Sequence, residues 1–184
     1  SMGGILSCLY AGIRPERVAG LVTLDGFGIA PTAPDMAPER YGKWLDALQA
    51  RPAMHVYPDR DAFARRLLRD NRFLSPERAA FLAEHLALEA PGGVVWNGDP
   101  WHKAPGPYLF RLEESMAVWR RVTAPVLWVA GRQSWIMKEF AGRPGDWEAR
   151  RDCFVNLEEA WIEEADHMLH YDQPQAVARL IEGF

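Results

Sequence analysis

Three short apolar segments divide the chain, and a helical pattern follows each of them. Residues 18–24 (VAGLVTL) and 124–131 (APVLWVAG) are predicted to be buried strands, and residues 159–165 (EAWIEEA) alternate in polarity like a third strand. Buried strands that alternate with helices are typical of a mostly parallel sheet flanked by helices, so the predicted fold class is α/β. Three strands are few for such a sheet, because they leave a long open edge.

The segment between the first two predicted strands is far longer than a normal crossover connection. It contains helical patterns and one irregular stretch, residues 92–108. The helices are predicted at residues 38–50, 59–71, 75–90 and 111–122. The segment is therefore predicted to be an inserted helical cap, which divides the chain into core residues 1–30, cap residues 31–122 and core residues 123–184.

The composition narrows the partners that such a chain can have. Its 184 residues are 48% hydrophobic, which is an ordinary globular composition. The net charge is −4 and the sequence has no long basic run, so a nucleic-acid partner is not expected. No apolar stretch approaches the roughly 18 residues of a membrane span, so no membrane partner is expected. Two cysteines, Cys8 and Cys153, form no disulfide framework and fit a reducing, cytoplasmic location. No metal-ligand spacing is present, and no metal or other cofactor is predicted.

Polar side chains follow each predicted strand. Asp25 comes directly after the first strand, Ser134 shortly after the second, and His167 shortly after the third. Ser1 precedes the first predicted helix, residues 2–13. Sites in open parallel sheets form beyond the carboxyl ends of the strands. A serine, an acid and a histidine gathered there are the nucleophile, orienting acid and base of acyl-transfer chemistry.

Three stretches resemble the α/β-hydrolase superfamily. Residues 1–4 (SMGG) are similar to the second part of its nucleophile elbow, G-x-S-x-G. Residues 165–184 (ADHMLHYDQPQAVARLIEGF) resemble its end, where the catalytic histidine precedes an acid, a proline and a last helix. Residues 124–134 (APVLWVAGRQS) resemble the strand that leads to the acid in many members. Within the superfamily, the serine-hydrolase-like group is the nearest in appearance, through LDGFG (24–28), DPWHK (99–103) and PYLFRLEES (107–115).

The resemblance implies a role for each residue. Ser1 is the expected nucleophile, His167 the base, and the backbone N–H of Met2 an oxyanion donor. Most members place the acid after the strand at 124–131, where this chain has the uncharged Ser134. A minority place it after the preceding strand, so Asp25 is the predicted acid. The chain would then be the C-terminal portion of a hydrolase, and its expected partner is the missing N-terminal half of the same fold.

Simpler interpretations of these residues remain open. Ser1 could be left from a cloning site, and Asp25 could only cap the turn that follows it. Asp146 and Asp152 are poorer candidates for the acid, because both lie in a predicted helix away from a strand end.

Three aromatic residues are predicted to line a substrate pocket. Phe27 and Trp135 follow strand ends, and Trp101 lies in the predicted cap. Trp44 and Trp96 fit the core of the cap at least as well.

The predicted function is that of a serine hydrolase, carboxylesterase-like, which cleaves a small, largely apolar ester. The same fold also supports C–C bond hydrolysis and acyl transfer. Two alternatives remain: a degenerate hydrolase that only binds a ligand, and a fragment that is inactive without its upstream half. The sequence indicates no oligomeric state.

Overall fold

A computed structural model describes residues 1–184, which form two compact units. Unit 1 comprises residues 1–30 and 111–184, and unit 2 comprises residues 31–110. The elements of unit 1 are α1 (Met2–Ile13), β1 (Leu21–Leu24), α5 (Leu112–Trp119), β4 (Val126–Gly131), α6 (Trp135–Ala141), α7 (Asp146–Arg151), β5 (Leu157–Ile162), α8 (Leu169–Asp172) and α9 (Pro174–Gly183). The elements of unit 2 are α2 (Ala37–Ala50), α3 (Arg60–Asp70), α4 (Pro76–Leu86), β2 (Ala87–Ala90) and β3 (Gly93–Trp96). None of the helices is both long and apolar enough to cross a membrane.

The sheet of unit 1 is parallel and has the order β1-β4-β5. All six residues of the central strand β4 are buried, as expected for a strand with helices on both faces. Leu21 pairs with Val126, and Val126 pairs with Leu157, so the three strands end close to the same edge. The predicted α/β fold class and the three predicted strands are confirmed.

Alternation along β4 gives the two faces of the sheet different cores. Leu127 and Val129 face an aliphatic cluster with Leu169 and Val177. Trp128 faces an aromatic cluster whose other members are Phe27, Trp119, Trp147 and Phe154.

Phe27 lies inside the aromatic cluster and not on a pocket wall. Only 1% of its surface is exposed, and its ring stacks on that of Phe154 with centroids 4.8 Å apart. Its prediction as a substrate-binding residue is therefore corrected: burial of an aromatic ring in this core leaves no face for a substrate.

Helix α5 packs with unit 1, whereas the sequence predicts that it belongs to the cap. A Cβ atom added to Gly12 of α1 would lie 2.1 Å from the carbonyl oxygen of Val118, so α1 and α5 cross with their backbones in close contact. The compact inserted unit accordingly ends at residue 110 and not at the predicted residue 122.

Unit 2 combines three helices with a β-hairpin. Asp59 and Ser75 cap α3 and α4 by accepting backbone N–H groups. The helix predicted over residues 75–90 ends at Leu86, and its last four residues instead form β2, which pairs antiparallel with β3. The stretch predicted to be irregular, residues 92–108, therefore contains a strand, and also a short 3₁₀ turn at residues 100–103.

Candidate active site

The carboxyl ends of the three parallel strands bring Asp25, Ser134 and His167 together. Nδ1 of His167 and Oδ2 of Asp25 are 2.8 Å apart, although the residues are 142 positions apart in the sequence. The hydroxyl of Ser134 donates to the same Asp25 oxygen. The backbone N–H of Asp25 donates to the carbonyl of Val129 at 2.8 Å, which continues the β1–β4 ladder and fixes the acid at the end of the sheet.

Asp25 is a buried carboxylate on an unusual backbone. Its exposed fraction is 2%, and its φ of 52° lies in the left-handed region, which Asp tolerates better than most residues. Both of its side-chain donors bind Oδ2, whereas Oδ1 is buried with no hydrogen-bond partner. Burial of a charged group is costly unless partners compensate it, so the two donors to Oδ2 matter for this residue.

Two glycines bring the first turn of α1 against the end of β1. A Cβ atom on Gly4 would lie 2.2 Å from Oγ1 of Thr23 and 3.2 Å from Cα of Gly26. The backbone nitrogen of Ser1 donates to the carbonyl of Leu24 at 2.6 Å. Ser1 itself is exposed at the start of the helix, beside the strand that leads to the acid.

Ser1 and His167 line one pocket of about 310 Å³. The structure records no hydrogen bond between the Ser1 hydroxyl and the imidazole. His170 lines the same pocket, and burial lowers its pKa. A larger groove of about 440 Å³ between β5 and α9 contains none of the predicted catalytic residues, so the smaller pocket is the candidate site.

The loop that carries His167 is fastened by side chains that bind backbone groups. Oδ1 of Asp166 accepts the N–H of His167 at 2.7 Å and that of Trp135 at 3.2 Å. Asp172 accepts the N–H of Asp166 at 2.9 Å, and Gln133 accepts the N–H of Ala165 at 3.2 Å.

Sequence reasoning missed these supporting roles. The position of Gln133 and Asp166 just after predicted strands was the available signal, but the sequence does not show which atoms they bind.

The remaining predicted residues lie in different surroundings. Trp135 is 46% exposed, and its ring centroid is 5.2 Å from that of His167. Trp101 is exposed on unit 2, and Met2 begins α1. Burial raises the pKa of the Cys8 thiol to about 12, so this cysteine of α1 supplies no thiolate near neutral pH.

The family follows from comparison with known proteins. A model of the Alpha/beta hydrolase family matches residues 1–180. The chain belongs to the alpha/beta hydrolase family. The predicted superfamily is thereby confirmed, and the strand-end position of the Asp25–His167 pair agrees with the general placement of sites in open parallel sheets.

Individual relatives of this alpha/beta hydrolase chain are longer than it is. A serine hydrolase-like protein of Danio rerio is 26% identical to the whole chain, which covers 58% of that protein. A hypothetical protein from Pseudomonas aeruginosa PAO1 is 30% identical, with a TM-score of 0.82. A thioesterase domain from the curacin biosynthetic pathway is 23% identical, also with a TM-score of 0.82. The chain is covered completely in both structural matches and spans 64% of each of those two chains.

Proposed function

We propose that the chain supplies the catalytic residues of a serine hydrolase that cleaves a small, largely apolar ester. The observation that carries this proposal is the 2.8 Å contact between His167 Nδ1 and the buried carboxylate of Asp25, with Ser1 lining the same pocket as His167. Nucleophilic acyl transfer needs a buried acid on one imidazole nitrogen and a hydroxyl within reach of the other, and the pocket that Ser1 and His167 share supports this arrangement.

Each group has one task in the proposed reaction. Asp25 accepts a hydrogen bond from the Nδ1–H of His167 and stays ionised, which leaves Nε2 free to take the proton of the Ser1 hydroxyl as its oxygen attacks the ester carbonyl. The backbone N–H of Met2, one of the unpaired groups at the start of α1, donates to the developing oxyanion. The protonated imidazole then gives its proton to the leaving alcohol, and water releases the acyl group by the same steps in reverse order.

Trp135 and Met168 support an apolar substrate. The exposed indole of Trp135 lies beside the imidazole of His167, and Met168 lines the pocket that His167 and Ser1 share. Trp135→Ala should raise KM for p-nitrophenyl esters with longer acyl chains more than for the acetate. The same measurement on Trp101→Ala tests whether the indole in unit 2 also contacts substrate.

Labelling of the complete natural protein with a fluorophosphonate tests the proposed nucleophile. Intact mass should show one adduct, which Ser1→Ala abolishes and the matched control Ser115→Ala keeps, because Ser115 bonds only the carbonyl of Arg111 within α5. Asp25→Asn should lower kcat on the order of 10³- to 10⁴-fold, because the imidazole loses its orienting charge. A folded protein that takes up no label would instead favour a degenerate hydrolase that binds a ligand.

We also propose that further strands of the same fold cover the free edge of β1. Alternation along a parallel ladder directs the amides of Val22 and Leu24 away from β4, because those of Leu21 and Asp25 donate toward it. Beside this edge, α1 presents a stripe of apolar side chains at helical spacing, each about half exposed. These residues are Met2, Leu6, Tyr10 and Ile13.

Hydrogen exchange tests this cover directly. In the complete natural protein the amides of Val22 and Leu24 should be as protected as that of Thr23, which faces β4. In residues 1–184 alone they should exchange much faster than Thr23. Fast exchange of both amides in the complete protein would show that no strand pairs there.

A further inference from the structure

The carboxylate of Asp25 is held on one side only. Oδ2 receives the imidazole of His167 at 2.8 Å and the hydroxyl of Ser134, whereas the buried Oδ1 has no partner. The two donors on Oδ2 therefore fix the rotation of the carboxylate about its Cβ–Cγ bond. One of those donors, Ser134, belongs to none of the roles assigned above.

The surroundings of Ser134 leave its hydroxyl group one acceptor, the carboxylate of Asp25. The residue is 1% exposed, so no solvent competes for the proton. Its Oγ already accepts the N–H of Ile136 at 3.2 Å, and its own N–H donates to the carbonyl of Gly131 at 3.1 Å. These backbone bonds orient the oxygen, and the hydroxyl donates to Asp25. The hydrogen bonds therefore form a chain from the backbone of α6 through Ser134 and Asp25 to His167.

We propose that Ser134 is a positioning residue, which holds the Asp25 carboxylate in the orientation that presents Oδ2 to His167. The inference rests on the proposed serine-hydrolase function and adds to it a fourth side chain, which does not touch the substrate. Without this hydroxyl the imidazole is the only side-chain donor on the carboxylate, so the carboxylate plane can rotate about the Cβ–Cγ bond and the ring loses its fixed orientation. Misplacement of a catalytic group by about 1 Å is enough to cost on the order of 100-fold in rate.

Ser134→Ala in the complete natural protein is the test. We expect kcat for a p-nitrophenyl ester to fall about 10- to 100-fold while KM stays within about twofold, because the hydroxyl acts on the base and not on bound substrate. Ser134→Thr, which keeps the hydroxyl, should recover most of kcat. Unchanged kcat in Ser134→Ala, or no recovery in a folded Ser134→Thr protein, would overturn the proposal.

A second readout does not depend on turnover. The imidazole N–H that is bonded to Asp25 should give a low-field proton NMR resonance, which is identified by its absence in His167→Ala. In Ser134→Ala this resonance should shift or disappear, because the oxygen that accepts the proton has lost its other donor. A resonance at the same position in Ser134→Ala would contradict the proposal.

A matched control separates positioning from helix capping. Ser75 caps α4 through a 3.2 Å bond from the N–H of Arg78, the same distance as the bond from Ile136 to Ser134, and Ser75 lies in unit 2. Ser75→Ala should lower Tm through the loss of a helix cap and leave kcat unchanged. If Ser1→Ala retains full activity, the proposed function itself fails. If Ser1→Ala is inactive and Ser134→Ala matches the wild type, only the role of Ser134 fails.

Discussion

Single residues set the distance between Ser1 and Asp25, the proposed nucleophile and the proposed acid. The first turn of α1 contacts the turn after β1 through Gly4 and Gly26, and Thr23 fills the remaining space by donating to the carbonyl of Gly26 at 3.2 Å. A Cβ on Gly26 would also lie 2.8 Å from the carbonyl oxygen of Ser1. The spacing between Ser1 and Asp25 is therefore set by the absence of side chains at two positions.

Gly4→Ala should separate these two elements. Its methyl group would overlap Oγ1 of Thr23, so we expect kcat of the complete natural protein to fall about tenfold or more, together with a lower Tm. Thr23→Ala removes the overlapping atom and should restore part of kcat in the double variant. Gly42→Ala in α2, where a Cβ meets open space, is the control and should be neutral or slightly stabilising. Equal kcat in Gly4→Ala and in the wild type would show that this contact does not position Ser1.

For single residues, the sequence predicts which residues follow a strand better than it predicts where their side chains point. Asp25 and His167 were placed at strand ends by the pattern of apolar segments together with the family resemblance, and the structure brings them into contact. Phe27 and Trp135 also follow strand ends, but one ring lies in the core and the other is half exposed. The difference arises from packing against Phe154, a residue 127 positions away from Phe27 that no local pattern identifies.

Among the elements, α7 holds the loop that follows Asp25. The guanidinium of the fully buried Arg150 donates to the carbonyls of Phe27 at 2.6 Å and Ile29 at 3.0 Å, and its Nε donates to Asp146 at 2.8 Å. Asp146 also accepts a bond from Arg143 at 2.7 Å. Burial pushes the pKa of Asp146 upward, but the hydrogen bonds from the two arginines outweigh it, and the net shift is downward.

Asp146→Asn should destabilise the fold by about 3–5 kcal/mol, because it leaves the charge of Arg150 buried without its partner. The lowered pKa gives a pH signature. The ionised Asp146 stabilises the folded state fully above its unfolded-state pKa of about 4. This stabilisation is lost as the pH falls through the lower pKa of Asp146 in the folded state. Urea unfolding should therefore show a gap between wild type and variant that narrows below about pH 4. Asp152→Asn, which removes a largely exposed carboxylate next to the same helix, should change stability little. A constant gap at all pH values would contradict the assigned ion pair.

The elements of unit 1 were predictable because buried strands and amphipathic helices carry strong periodic signals. The hairpin of unit 2 was not, because Ala87–Ala90 consists of residues that favour helices. These residues form a strand because they pair with β3, and β3 in turn pairs with Tyr57: Tyr57 and Val94 exchange two backbone hydrogen bonds of 2.8 Å. The turn also needs φ values of 87° at Gly92 and 144° at Gly93, which glycine alone adopts readily. The helix propensity of residues 87–90 is thus outweighed by strand pairing that extends to Tyr57, a residue far away in the sequence.

At the scale of the whole molecule, all the proposed catalytic residues lie outside the inserted unit. Ser1, Asp25 and His167 all lie in unit 1, whereas unit 2 is one continuous insertion, residues 31–110. The sequence indicated that an insertion exists, because the connection is too long for a crossover. Its predicted end at residue 122 is too late because α5 is amphipathic like the helices of unit 2. The contacts of Gly12 with Val118 and of Trp119 with Phe154 place α5 in unit 1.

Both ends of unit 2 lie side by side, so a short linker can replace its body. The N–H of Thr32 donates to the carbonyl of Phe110 at 3.3 Å, and the Thr32 hydroxyl donates to the same oxygen at 3.1 Å. A linker of about four glycines and serines between these two residues spans such a gap, as in a hairpin loop. In the complete natural protein this replacement should keep fluorophosphonate labelling at Ser1 and change the preference among ester chain lengths. Slow alkylation of the buried Cys8 reports that unit 1 is still folded. Slow alkylation together with no labelling would mean that unit 2 contributes directly to the chemistry and not only to the choice of substrate.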